Sequence, residues 1–396
     1  MTMMPDEVMS EQSPPERESG IRNFLVEKLL GRFRDLPISF ELRALDGVMW
    51  RCGADAPAFC IAVRNRRGLL ALLSSDENRI AEAYLAGSLD LEGDWLQALN
   101  IRRGLSDFHP FSRAGRFLCS ALLGQVRTNA RAIHSHYDLD PDFFLSFLNA
   151  RTRCYTQGIF LRDDEDLSEA TLRKLEFCVQ ACGLKAGDRV LEVGPGWGAF
   201  AEYAARRGIR VTGVMNSVES KKYLEELGRE LGLSWELVLA DILNFKSEQR
   251  FDAIVLMGIM EHLPDYDRIV RKFRELLRPG GFVYLDASAA RMKFDAPSFI
   301  TRHIFPGNHS FLILDDFLRA LAATPMSLKG VYDDRHSYFL TVRQWARNLE
   351  AARERIVARY GEWNFRRFNL YLWSSAHALL TDTLQCYRLV LQEPAG

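Results

Sequence analysis

The sequence predicts a doubly wound α/β sheet preceded by a smaller α+β unit, and three observations carry that expectation. Between Gly183 and about Ala287, strand-like and helix-like stretches alternate at regular lengths, the pattern of a mostly parallel sheet covered on both faces. The first strand of that series runs into VLEVGPGWG at Val190–Gly198, where three glycines are spaced two apart. At 396 residues the chain exceeds what one core usually holds, so a second unit is expected.

Residues 1–20, MTMMPDEVMSEQSPPERESG, are polar and acidic with neither a basic n-region nor an apolar h-region. They are expected to be a disordered tail, neither signal peptide nor anchor. Across 21–105 short runs such as ISFELRAL and FCIAVRNR point to the small α+β unit, with Arg67 and Gly68 as a turn signal after the second. Ser75 and Asp76 then offer caps for a helix carrying Ile80, Ala81 and Tyr84, which Gly87 ends. Over 106–135, Leu118, Leu122 and Val126 recur at helical spacing while Arg113, Arg116, Arg127 and Arg131 fall mostly on another side. This basic amphipathic linker helix either packs between the units or touches a membrane surface.

Within 136–396, DRVLEV, IRVTGV, WELVLA, FDAIVLM and FVYLDA read as strands. AFAEYAARRG, SVESKKYLEELGRELG and YDRIVRKFRELLRPGG read as helices, the last stopped by Pro279, Gly280 and Gly281. From about Phe311 to Ala395 the expectation is helical stretches rich in Arg and aromatics, then TLQCYRLVLQ as a strand closing the sheet edge.

Lys and Arg number 51 against 52 Asp and Glu, so no general basic field exists to hold a nucleic acid. The seven cysteines are scattered and include no CxxC pair, which favours reduced thiols in a cytoplasmic protein over a disulfide frame or metal site. No apolar run approaches the roughly 18 residues of a spanning helix. The chain is therefore expected to be soluble or peripheral.

In an open α/β sheet the ligand lies beyond the carboxyl ends of the strands, and VLEVGPGWG sits at the first strand-to-helix turn. Gly194, Gly196 and Gly198 allow positive φ and close backbone approach, and the next helix presents free N–H groups. The spacing is GxGxG after the acid Glu192, which lacks both the third glycine of GxGxxG and the Gly-Lys-Ser/Thr of a phosphate loop. Asn216 and Ser217 at the end of the second strand are placed for ribose hydroxyls. At the end of the third, Asp241 can accept from an adenine amino group and Ile242 can cover the ring. Together these features resemble the class I methyltransferase fold, which implies S-adenosylmethionine as cofactor.

A narrower resemblance rests on HYDLDPDFFLSFLNARTRCYTQGIF at 136–160, MEHLPDYDRIVRKFRELLRPGG from Met260, HIFPG from His303, HSYFLTVRQW from His336, and the stretch from Glu82 to Asp94. In this order they resemble the cyclopropane fatty acid synthase family. That resemblance implies methyl transfer onto the double bond of an unsaturated phospholipid acyl chain, peripheral contact with the inner face of the membrane, and a homodimer. It carries over Tyr155 and Thr156 as cofactor contacts and Glu261 and Tyr338 as catalytic residues. In the family, Cys, Glu, His, Ile and Tyr hold a bicarbonate that takes the proton, and here the Cys, His and Ile positions are Gln157, Asp286 and Ser288. Two acids, Asp286 and Glu261, would repel that anion and disfavour joint ionisation. The expectation is that Asp286 with Glu261 stabilises the carbocation or acts as base; loss of a proton to give a methyl-branched alkene, with no ring, is the other outcome. Other alkenes, such as a polyprenyl or specialised metabolite, or a non-catalytic binding role, remain alternatives. Several residues have structural readings too: Glu261 and His262 as helix caps, Asp286 as a turn residue, Tyr338 as core, Asn216 and Ser217 as a helix start. Phe299, Ile300, Ile304, Phe305 and Phe311 either line an acyl tunnel or fill a core.

Overall fold

Alternation along the strands sorts the larger unit into two apolar layers. Leu191, Val193, Ile254, Leu256, Val283 and Leu285 point to one side of the sheet, where they meet Ile269, Val270, Phe273 and Phe317. Val190, Ala253, Val255, Tyr284 and Val390 point to the other and meet Leu175, Cys178, Phe200 and Ala204. The computed structural model describes residues 16–106, 140–292, 297–305 and 310–396. The chain divides into two compact units with the break after Ser106. The amphipathic stretch expected at 106–135 lies outside the described residues apart from Ser106.

The first unit is a four-stranded sheet, β1 (Phe40–Arg43), β2 (Met49–Cys52), β3 (Phe59–Val63) and β4 (Leu89–Gly93), ordered β2-β1-β3-β4. Its core includes Val26, Leu29, Phe33, Leu42, Ile61 and Leu72, with Phe40 stacked on Phe59 at 5.0 Å. A helix spans Glu16–Gly31 and so begins inside the stretch expected to be a tail. Arg67 and Gly68 form no turn. Asn65 caps a helix at Arg66–Ser74 by accepting from the Gly68 N–H, and a Cβ at Gly68 would lie 2.1 Å from the Ser88 carbonyl. Asp76 caps the next helix, Glu77–Leu85, by accepting from the Arg79 N–H.

The second unit is a seven-stranded sheet ordered β10-β11-β9-β8-β5-β6-β7. Its strands are β5 (Arg189–Val193), β6 (Arg210–Met215), β7 (Glu236–Leu239), β8 (Phe251–Met257), β9 (Leu277–Ala289), β10 (Ser327–Asp333) and β11 (Gln385–Gln392). The five strands from β5 to β9 are parallel; β11 pairs antiparallel with both β9 and β10. Two expectations are corrected here. The C-terminal strand does not close the edge, because β10, from the stretch expected to be helical, pairs outside it. The helix Tyr266–Leu276 stops before Pro279, and β9 begins at Leu277. Arg278 precedes the proline, whose ring bars it from the helical region.

Candidate active site

The carboxyl ends of β5, β8 and β9 bring the chemistry-bearing residues together. Glu192 pairs across to Val255, and Tyr284 and Asp286 pair across to Val255 and Met257, so all three project to the face covered by the helix Leu167–Ala181. At the end of β5, Gly194, Gly196 and Gly198 have φ of 68°, 54° and 83°, a conformation that side chains with a Cβ resist. A Cβ at Gly196 would meet no atom within 4 Å, so the turn leaves open space at its centre. Arg153 fixes the turn from outside, donating to the Trp197 carbonyl at 3.3 Å and pairing with Glu202. Glu192 is buried, its Oε2 has no hydrogen-bond partner, and burial pushes its carboxyl up to about 8.

The six further cofactor candidates have the following surroundings. Ser217 caps the helix Val218–Leu231 by accepting from the Ser220 N–H, and the half-buried Asn216 precedes it. Asp241 accepts from the Leu243 N–H at 2.9 Å, and Ile242 is packed into the core. Tyr155 lies among Phe144, Phe147 and Trp345, with ring centroids 5.3–6.0 Å away. Thr156 is buried and accepts a hydrogen bond from Lys174 Nζ.

Of the catalytic candidates, Glu261, Ser288 and Tyr338 come together. Glu261 lies on the short turn Met260–His262 after β8, and its Oε1 accepts from the Ser288 N–H at 2.7 Å. Its Oε2 is buried without a partner, and burial pushes the carboxyl up to about 7. The Tyr338 phenol is within hydrogen-bonding reach of Ser288, and burial raises its pKa so that it stays protonated. Ser310 N–H donates to the Glu261 carbonyl and Leu312 N–H to that of Ser288, closing this side. His262 is half-buried, pushed down to about 4 by burial, and is neutral at pH 7. The next wall is a π-helical turn, Ile300–Ile304, where Phe299, Ile300 and Ile304 are buried and Phe305 faces His262 and Tyr371.

Asp286 and Gln157 belong to a buried polar network whose other members the sequence did not reveal. Lys174, fully buried, has its Nζ 3.4 Å from Asp286 Oδ2 and 3.5 Å from Cys154 Sγ. Burial pulls the lysine down, but Asp286 and Cys154 more than offset that and hold it above the ordinary value. Burial also raises the Asp286 carboxyl, opposed by Lys174. Gln157 donates through Nε2 to Asp334 Oδ2 at 3.2 Å, and Asp334 pairs with Arg388 at 3.1 Å. The reading of Asp286 as a turn residue is corrected, since it lies within β9; it does stand as a second acid near Glu261, with Lys174 against it. Gly258, at φ 68°, brings the Tyr155–Gln157 loop close, since a Cβ there would sit 2.6 Å from Thr156 Cγ2. A sequence signal for Lys174 did exist: it falls at helical spacing with the buried Leu167, Thr171 and Cys178.

Comparison with known proteins places this geometry. A family profile described as mycolic acid cyclopropane synthetase matches residues 125–389. The chain belongs to the mycolic acid cyclopropane synthetase family. A crystal structure of a mycolic acid cyclopropane synthase complexed with SAH and CTAB is 25% identical, covers 67% of this chain and 98% of its own, and superposes with a TM-score of 0.62. A probable fatty acid methyltransferase of Pseudomonas putida is 26% identical over 93% of this chain and 96% of its own length. Sphingolipid C9-methyltransferase 1 of Gibberella zeae is 26% identical over 78% of this chain, which spans 64% of that protein's length. This family member has the Rossmann-like methyltransferase fold and S-adenosylmethionine as its cofactor. The residues fit that group: the glycine turn leaves room for it, and the unpartnered oxygen of Glu192 offers a carboxylate to its cationic end. Among the described residues no cluster of His, Cys, Asp and Glu suits a metal, and no helix is long and apolar enough to cross a membrane.

Proposed function

We propose that this chain is a C-methyltransferase acting on the double bond of an unsaturated acyl chain in a phospholipid. The observation that carries this reading is the Glu261 carboxyl, one oxygen fixed on the Ser288 N–H and the other buried without a partner. A carboxyl near pH 7 in an apolar wall is a base suited to a strongly acidic carbocation. Held at the Gly194–Gly198 turn with Glu192 at its cationic end, S-adenosylmethionine would supply an electrophilic methyl group, the electron pair of its former bond staying on sulfur. The alkene π pair forms the new carbon–carbon bond, leaving the positive charge on the neighbouring carbon. Glu261 Oε2 takes the proton from that cation. The released C–H pair closes a cyclopropane ring or becomes the double bond of a methylated alkene. Tyr338 and Ser288 hold the rim of this centre, and the buried Ile300 and Ile304 of the π-helical turn keep water from capturing the cation.

The donor set does not fit bicarbonate. Gln157 directs its amide to Asp334, and Asp286, with Lys174 already against it, brings a second carboxyl beside Glu261. No step runs through that anion. The functional reading is tested by expressing the chain in a host without such an enzyme, feeding methyl-labelled methionine, and resolving labelled acyl chains by mass spectrometry. Label in a former alkene carbon skeleton supports the reading; unlabelled lipids sink it.

A further inference from the structure

Lys174 is buried in a sheet face, where an ammonium is costly unless every proton finds a partner. It finds three: Asp286 Oδ2 at 3.4 Å, Thr156 Oγ1, and Cys154 Sγ at 3.5 Å. The helix bearing it, Leu167–Ala181, is seated on that face by Leu175 and Cys178, so the amine is held from both ends. Asp286 keeps its second oxygen, Oδ1, buried and without a partner. Asp286 and Ser288 share one face of β9, and the Ser288 amide holds Glu261, so both carboxyls gather at the same strand end.

We propose that Lys174 is a positioning residue of the reacting centre: clamped by Thr156 and Cys154, its ammonium fixes one oxygen of Asp286, favours its carboxylate form, and leaves the other oxygen unpartnered. This rests on the methyltransferase reading above and adds that the reaction needs no soluble bicarbonate. Asp286 supplies the fixed negative field for the carbocation, while Glu261 removes the proton. The division of labour follows from partners, since Asp286 has a cation against it and Glu261 has only neutral donors. The other charges cancel. Arg388, which pairs across from Asp286 on β11, is matched to Asp334. Around Asp286 stand Lys174 and Cys178 from the helix, Tyr284 from β9, Arg388 and Cys386 from β11, Asp334 and Glu261. Around Glu261 stand Asp286, Ser288, Tyr338, Tyr266 and Cys386.

The test measures methyl transfer from labelled S-adenosylmethionine to vesicles of a mono-unsaturated phosphatidylglycerol, across the pH range around neutrality. Buffers are either purged of carbon dioxide or supplemented with bicarbonate. The wild-type rate is expected to be the same in both. Lys174→Met loses rate because Asp286 then takes up a proton. The double variant K174M/D286N replaces the ion pair by a neutral one and preserves the fold. It is expected to lose about 100-fold in kcat with KM little changed. Its acid limb moves below about 7, because Glu261 no longer faces an anion. A wild-type rate that collapses without bicarbonate overturns the inference while leaving the function standing. So does a folded double variant with an unmoved acid limb and near-normal kcat. Wild type that labels no lipid in either buffer overturns the functional reading and this inference with it.

Discussion

Replacing Glu261 by Gln tests the proposed base with little disturbance to its surroundings. The Ser288 N–H, 2.7 Å from Oε1, still meets a carbonyl oxygen in the variant, so the local hydrogen bond survives. What is lost is the acceptor for the proton, and general-base catalysis contributes typically about 10²–10⁴-fold, or roughly 3–5 kcal/mol of barrier. The wild-type pH profile carries an independent signature. With the carboxyl at about 7, roughly one-eleventh is ionised at about pH 6 and ten-elevenths at about pH 8, so the rate rises about tenfold between them. Stability moves the opposite way. The folded state binds this proton more tightly than the unfolded chain, so the carboxyl adds no penalty below its ordinary value of 4.5. The penalty grows as pH rises to about 7, reaching about 3 kcal/mol above it. Glu261→Gln is therefore expected to be slower yet more resistant to denaturant at alkaline pH. Initial rates with labelled cofactor and urea unfolding at two pH values read both effects. A variant within tenfold of wild type, or a flat wild-type profile, refutes Glu261 as the base.

Three further predictions concern the cofactor cradle and the buried network. Burial keeps Glu192 protonated at neutral pH, with its carboxyl at about 8, so binding of S-adenosylhomocysteine is expected to release about one proton; calorimetry in two buffers of different ionisation enthalpy measures this, and Glu192→Gln removes it. Gly196→Ala meets no neighbour within 4 Å and so costs only the left-handed backbone penalty, roughly 1–2 kcal/mol. Its methyl group nevertheless enters the open centre of the turn, and cofactor affinity is expected to fall about tenfold or more, roughly 1.4 kcal/mol. Arg388→Met strands the buried Asp334 without its cation and is expected to cost about 3–5 kcal/mol in unfolding free energy.

The strand and helix series from Arg189 to Met257 was legible because apolar alternation and glycine punctuation coincide there. FDAIVLM is a strand over the same residues, Phe251–Met257. β10 was not legible: Ser327–Asp333 is exposed at nearly every position and carries no apolar period, and pairing with β11 makes it a strand. The site divides the same way. The glycine turn and Glu261 stand next to punctuated strand ends, so their placement follows from local order. The partners of Asp286, Asp334 and Gln157 come from helices and strands far away in the chain. A buried Lys174 shows in the sequence only as one cation on an apolar helix face, and Arg388 as one within an apolar strand.

The most direct test of the central claim uses purified protein with methyl-labelled S-adenosylmethionine and two sets of vesicles, one of unsaturated and one of saturated phospholipid. The account predicts label bonded to carbon in the acyl chains of the unsaturated set alone, at a rate that rises through about pH 7. Label in the headgroup, equal labelling of both sets, or no transfer to lipid would contradict it.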